Sequence, residues 1–459
     1  MLFRRNPDEP RPPTAWRLGF ASGVAALASL LVLIAYLISM WVAVAAGRVE
    51  APRTLGAPLR VAAPGVDGVF LLTAQQETRV TGGRSRWSAH RGTETVTHVD
   101  LWRFDVSSMQ PVWRRRLLTE RGGSIGDLAL MGADGARLWV FLRQPLVLDL
   151  ASGDVLGNAS VIEARNTPLQ GVLPRQLNHY RFFEGYGLVF TAADARAWVL
   201  DAGTFVATPW QAKGTPRRPA TIGPAYLAPN SLTTFQKRGL LLPRDWLGVL
   251  TDDEAAALNR PPEVPGAKPG ERRGAFAAHL EAMQAPPDLA HAGPKRYRLW
   301  RSKVEQVSAA PAGWPKELPN NWGLRPRYSN FRVLEQSPEF LQAGLLGDGR
   351  SKVPIWLTGP DSVLVAHRDR IDAEGRLHVT RIAGPAGRVV WDAPLQLSIL
   401  QSVMVGTGPL LLFGRGHVQP LPQVGDPYHS AHEWLVSLDL ASGAVRSFDM
   451  TAVDADKRE

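Results

Sequence analysis

Leu148-Asp149-Leu150-Ala151-Ser152-Gly153-Asp154-Val155 returns almost verbatim as Leu438-Asp439-Leu440-Ala441-Ser442-Gly443-Ala444-Val445. Each copy reads as the end of one strand, a tight turn and the start of the next. The Asp accepts hydrogen bonds from turn amides, Ser assists, and Gly takes the positive φ that many tight turns require. Weaker copies are Phe104-Asp105-Val106-Ser107-Ser108, Leu200-Asp201-Ala202-Gly203 and Arg381-Ile382-Ala383-Gly384-Pro385-Ala386-Gly387. With Asp105, Asp149, Asp201, Ala383 and Asp439 as equivalents, neighbouring copies stand 44, 52 and, beyond a large gap, 56 residues apart. A blade of four antiparallel strands needs about 40 to 50 residues, the period of propeller arrays. An irregular β-sandwich whose hairpins share turn chemistry is the competing architecture.

The surrounding chain agrees with a mainly β protein. Past residue 60 the apolar runs shorten to strand length, are rich in Val, Leu, Phe and Trp, and are punctuated by Gly, Asp and Ser. The Asp-x-x-Ser-Gly phrase resembles the outer-strand turn of quinoprotein-like and WD-like β-propellers, whose full docking motif is Ala-x-Asp-x-x-Thr-Gly-x-x-x-Trp. Trp113 lies eight residues after Asp105 and Trp391 four after Gly387, in keeping with that spacing. Met109 stands where the first copy should have Gly, and Gly157 and Ser447 occupy the tryptophan place after Asp149 and Asp439. The resemblance covers residues 60–210 and 355–450 and implies a PQQ-like repeat architecture rather than an activity. Dehydrogenases of that group hold a quinone against paired cysteines and a calcium site. The chain of 459 residues has no Cys and no matching calcium segment, so the resemblance implies a non-catalytic form without a quinone.

The absence of Cys also excludes disulfides, thiolate metal sites and thiol nucleophiles. No Gly-x-Ser-x-Gly elbow, His-Glu-x-x-His or phosphate loop occurs. The net charge of +10 rests on 52 basic against 42 acidic residues, and Arg supplies most of the positive side.

From Leu18 to Gly47 the chain runs without a charged side chain, between Arg17 and Arg48. About 20 apolar residues suffice to cross a bilayer as a helix. Residues 18–46 therefore read as a single transmembrane signal-anchor, with a short cytoplasmic tail at 1–17. Ala43-Val44-Ala45 has the form of a signal-peptidase site, which leaves cleavage after Ala45 as the alternative. The basic flank Arg4, Arg5, Arg11 and Arg17 orients the N-terminus to the cytoplasm and the body to the periplasm or exterior.

Residues 209–326 hold 17 of the 37 prolines, and 211–350 carry 20 basic and 13 acidic residues. This stretch reads as a basic, Pro-rich insertion with short helices between a first group of blades, 60–210, and a last group, 351–450, followed by a tail at 451–459. Thr251-Asp252-Asp253-Glu254 is a capping box that opens a helix toward Asn259, and Glu271 to Met283 reads as a second helix.

Two clusters are candidate sites. His417, Asp426, His429, His432 and Glu433 combine imidazoles with carboxylates in a pattern open to a divalent metal. Lys295, Arg296, Arg298 and Arg301 form a basic binding surface. Alternation along a strand is the other reading of that segment, with Tyr297, Leu299 and Arg301 facing one way and Arg298 and Trp300 the other. Export removes nucleic acid as a partner; anionic lipid or a cell-wall polymer remains open. The expectation is an inner-membrane, single-pass, exported propeller-like module that binds or scaffolds an envelope protein, without resident cofactor. The alternative is a divergent metal-dependent enzyme that uses the 417–433 loop. Strands within 60–72 and 434–448 are expected to meet where the ring closes.

Overall fold

The computed structural model describes residues 33–34, 48–82, 91–122, 125–210, 235–243, 245–259, 295–308, 324–349, 351, 353–357, 361–371, 375–417 and 431–453. Of the expected anchor only Leu33 and Ile34 fall within them, and both are helical. Among the described residues no helix is long and apolar enough to cross a membrane. The expected helix at 271–283 lies outside the described residues.

The described chain is mainly β and forms antiparallel sheets of 6, 4, 4, 10 and 4 strands, within which six four-stranded meanders run; the short strands Arg48–Val49, Arg53–Thr54, Gln236–Lys237 and Trp356–Leu357 add to the edges of the first and fifth. Blade 1 contains β1 (Leu59–Ala63), β2 (Val66–Gly82), β3 (Arg91–Asp105) and β4 (Pro111–Arg121). Blade 2 contains β5 (Leu128–Asp134), β6 (Arg137–Leu142), β7 (Pro145–Asp149) and β8 (Val155–Asn158). Blade 3 follows with β9 (Tyr180–Phe183), β10 (Gly187–Thr191), β11 (Ala197–Leu200) and β12 (Ala207–Pro209). Blade 4 is β13 (Gly239–Leu241), β14 (Asp245–Leu250), β15 (Arg296–Ser308) and β16 (Leu324–Val333). Blade 5 is β17 (Phe340–Leu346), β18 (Ser362–Arg368), β19 (Leu377–Ala383) and β20 (Arg388–Pro394). Blade 6 is β21 (Ile399–Met404), β22 (Leu410–His417), β23 (Ala431–Leu438) and β24 (Val445–Asp449). Blades 4 and 5 are joined into one sheet through the register pairs Arg296↔Leu341 and Tyr297↔Phe340.

The blades bury both faces, which is why inner strands such as Val69-Phe70-Leu71-Leu72 read as unbroken apolar runs. Leu71 and Leu72 are 0% and 1% exposed and point into different cores. Phe70, Leu101, Leu138 and Leu148 join blades 1 and 2, whereas Trp139, Phe141, Tyr180 and Phe190 join blades 2 and 3. Tyr297, Leu299, Phe340 and Val365 join blades 4 and 5, and Leu364, Val379, Leu412 and Val436 join blades 5 and 6. Each such side chain contributes about 1.5–3 kcal/mol on burial.

A further core of Val69, Leu71 and Trp102 with Leu411, Phe413 and Leu435 brings blade 6 against blade 1. The strands expected to meet there do meet, but by packing and not by strand pairing, since β1 pairs with β2 and β24 with β23. Polar clamps reinforce the seam. Arg60 donates to Pro409 O at 2.8 Å and also to Thr407 O, the Thr54 amide donates to Glu433 Oε2 at 2.8 Å, and Arg446 donates to Ser107 O. Stacked sheets whose first and last members touch are the arrangement of a β-propeller.

The repeated turn is built as its sequence dictates. Asp149 Oδ1 accepts from the amides of Ala151 and Ser152, and Asp439 Oδ1 from those of Ala441 and Ser442. Four residues after the Asp, Gly153 and Gly443 adopt φ of 73° and 77° and donate back to the Asp carbonyl at 2.9 Å. Met109 and Phe205 do the same at φ of 57° and 58°. In the weaker copy Leu200-Asp201-Ala202-Gly203 the positive-φ residue is Phe205, not Gly203. Both exceptions are buried, Met109 fully and Phe205 at 6% exposure, so packing compensates a backbone conformation that costs about 1–2 kcal/mol for an L residue.

The turn is also where blades dock. Arg103 and Trp113, directly opposite on β3 and β4, reach the turn of blade 2: Arg103 donates to Ala151 O at 3.0 Å and Trp113 covers Gly153. Arg381 and Trp391, opposite on β19 and β20, repeat this on blade 6, with Arg381 donating to Leu440 O at 2.7 Å and Trp391 covering Gly443.

The 211–350 stretch, expected as an insertion, extends the repeat in its described part, supplying the whole of blade 4 and the first strand of blade 5. The helix α1 (Asp252–Asn259) opens on the expected capping box: the Thr251 amide donates to Glu254 Oε2 at 2.9 Å and the Glu254 amide to Thr251 Oγ1 at 3.2 Å. Ala255 and Leu258 of α1 pack with Trp300, Tyr328 and Phe331 on one side of blade 4. Tyr297 and Leu299 take the other side, the alternation the sequence foretold.

Candidate functional site

The seam of blades 4 and 5 opens into a cleft of about 360 Å³ lined by Thr251, Asp252, Asp253, Glu254, Lys295, Arg296, Arg298 and Glu339. Three elements place these groups: the first turn of α1, the start of β15 and the residue before β17. Arg298 donates to Glu339 Oε1 at 2.7 Å, and Arg296 stands 3.5 Å from Glu339 Oε2. The Arg298 guanidinium, by hydrogen bonding, holds the Glu339 carboxyl below the usual range. Deeper in the cleft, burial would raise Glu254, but hydrogen bonds from Arg238 and the Thr251 amide outweigh it and keep the group anionic. Arg238 in turn lies over the Tyr297 ring at 5.1 Å, so the cleft floor is tied to the blade core.

Lys295, Arg296 and Arg298, read from sequence as a basic surface, are thus gathered here together with four carboxylates: Asp252, Asp253, Glu254 and Glu339. The lining is mixed in sign rather than basic. Arg301 is placed elsewhere on β15, where its Nε lies 3.9 Å from Asp245 Oδ2. Sequence reasoning missed Glu339, which is distant in the chain and arrives only through the pairing of β15 with β17.

Of the histidine loop, Asp426 and His429 lie outside the described residues, and His417 ends β22. His432 Nδ1 stands 2.6 Å from Asp449 Oδ2 and its ring stacks on Trp434. Its neighbour Glu433 instead accepts from Arg415 and the Thr54 amide. These adjacent residues of β23 engage separate partners.

A cluster that sequence reading passed over lies on blade 5. His367 on β18, His378 on β19 and Asp392 on β20 place donor atoms within 4.8 Å of one another. His367 and His378 are direct cross-strand neighbours, and Asp392 is opposite Thr380. The hydrogen bond that His378 Nδ1 donates to the Asp392 carboxylate raises the His378 pKa against the effect of burial. Burial would raise Asp392, but hydrogen bonds from His367, His378 and Thr380 drive it well below the carboxylate range. The available signal was two histidines flanking a hairpin, which becomes informative only when the register is known.

No family model matches the chain, and no curated protein matches it. Solved structures that do match include the WD40 domain of Neurospora crassa Pan2, at 12% identity over 78% of this chain and 86% of that one, with a TM-score of 0.17. A superposition that loose carries no argument, and the blade assignment rests on the sheets themselves.

Proposed function

We propose that the chain is a non-catalytic, membrane-anchored β-propeller-like module that binds or scaffolds an envelope protein through the cleft at the seam of blades 4 and 5. The observation that carries this reading is the lining of that cleft, where three cationic and four anionic side chains surround an open concavity. Such a lining complements a polypeptide segment carrying both signs better than an anionic lipid or cell-wall polymer, because Glu339 already draws Arg296 and Arg298. Propeller blades supply the rigid frame that holds a binding loop in place at low ordering cost. The uncharged run from Leu18 to Gly47 supports the anchor and the exported location of the body.

A photo-crosslinking side chain at Asp253, on the exposed lip of the cleft, tests the reading in native membranes. One protein adduct formed at Asp253 and not at the exposed Leu156 of blade 2 is expected. Equal labelling at both positions, or labelling of lipid alone, contradicts it.

A further inference from the structure

We infer that His367, His378 and Asp392 form a binding site for a divalent transition-metal ion of the zinc class. Three adjacent strands of one rigid blade each contribute one donor. His367 Nε2 lies 3.3 Å from Asp392 Oδ1, and His378 Nδ1 lies 2.8 Å from Asp392 Oδ2. Donors that share a tetrahedral zinc at bonds of about 2.0–2.1 Å stand roughly 3.3 Å apart, so small side-chain shifts admit the ion.

The second nitrogens support the same reading. Histidine ligands commonly direct the other ring nitrogen to a carbonyl or carboxylate, which fixes tautomer and orientation. Here His367 Nδ1 faces Arg368 O at 3.4 Å, and His378 Nε2 faces Asp369 Oδ2 at 3.8 Å. Each imidazole therefore turns one nitrogen outward to an oxygen and the other into the cluster, where His367 Nε2 lies 2.7 Å from the Thr380 hydroxyl as well as 3.3 Å from Asp392. The Thr380 hydroxyl donates to Asp392 Oδ1 at 2.5 Å and holds the carboxylate in place, while the Phe340 ring packs on His367 with centroids 4.9 Å apart.

The site is held firmly and yet reachable. The His367 and His378 side chains are 13% and 17% exposed, whereas Asp392 is 42% exposed and leaves a side open to water. Two imidazoles and one carboxylate favour zinc-class ions over magnesium or calcium, which demand oxygen ligands. The site is built entirely from blade 5 and is separate from the 417–433 loop.

Titration of Zn²⁺ into the metal-stripped full-length protein, followed by calorimetry, is the test. One equivalent is expected to bind. His378→Ala and Asp392→Asn should abolish that equivalent, and Asp369→Asn should weaken it about 10-fold or more while leaving one site, as loss of an outer-shell partner does. Circular dichroism of each variant separates loss of a ligand from loss of fold, and Asp369→Asn, which removes no ligand, stands as the second readout. Failure of wild-type protein to bind Zn²⁺, or an equivalent that survives in His378→Ala and Asp392→Asn, overturns the inference.

Discussion

The ring of Phe205 occupies the space above Gly157: a Cβ at residue 157 would lie 2.7 Å from Phe205 Cζ. Gly157 stands eight residues after Asp149, the place that Trp113 holds after Asp105, and Phe205 stands four after Asp201, the place of Gly153. Between blades 2 and 3 the bulky and small partners of the docking contact have therefore changed sides. One large ring still fills the seam, supplied by the turn instead of the outer strand.

This exchange predicts that Gly157→Ala destabilises the protein by about 1–3 kcal/mol, the range for overpacking a filled site. Combined with Phe205→Ala, the penalties should be less than additive by at least about 0.5 kcal/mol, because the shortened side chain makes room. Urea unfolding of the four proteins of the cycle measures it.

The two kinds of turn should respond in opposite ways to size. Gly443→Ala places a Cβ 2.7 Å from Trp391 at a φ of 77° and should cost about 2 kcal/mol from backbone strain and crowding together. Met109→Gly removes strain but leaves a cavity, and since Met truncation in a core costs about 2–5 kcal/mol the net effect is also destabilising. A stabilised Met109→Gly would show that packing does not compensate the strain there.

Arg60 predicts how the first and last blades are held. Its side chain is 6% exposed and caps the Thr407 and Pro409 carbonyls of blade 6. Arg60→Ala should destabilise by about 1.5–3 kcal/mol, the range for hydrogen bonds made by a charged group, and should speed proteolysis in the loop at 405–409.

Acid sensitivity follows from the turns. Hydrogen bonds from Ser107 and the Ser108 amide lower the Asp105 pKa, the Ser152 amide lowers Asp149, Thr204 lowers Asp201, and Ser442 lowers Asp439. Groups lowered in the folded state contribute stability that is present above the unfolded carboxylate value near 3.9 and is lost as pH falls through the folded values. The unfolding midpoint should therefore drop as pH falls below about 4. Asp439→Asn, which still accepts turn amides but does not titrate, should flatten that decline, and a pH series of melting curves reads it.

Much of the blade architecture could be read from Asp149 and Asp439, because the Asp turn is local chemistry: an acceptor, two amides and a residue at positive φ within five positions. Asp201 is legible as a weaker copy, but its positive φ falls on Phe205, where burial and not a glycine decides the conformation. Blade 4 escaped notice because its strands carry no such turn and are separated by proline-rich connections. Lys295 to Arg298 stood out as a basic run, yet the carboxylate that defines their site, Glu339, comes from strand pairing across the seam. His367 and His378 share the same reason: eleven positions apart in sequence, they become neighbours only through the β18–β19 register.

Affinity capture of the full-length protein from its own membranes, wild type beside the charge-reversal variant Glu339→Arg, tests the central claim that the cleft between blades 4 and 5 docks a protein. The account predicts one stoichiometric protein partner with wild type that is lost from Glu339→Arg, whose unfolding midpoint falls only slightly because the ion pairs of exposed Glu339 contribute little to stability. A partner retained at full yield by the variant, or a wild-type eluate that holds no partner and turns over a substrate, would contradict it.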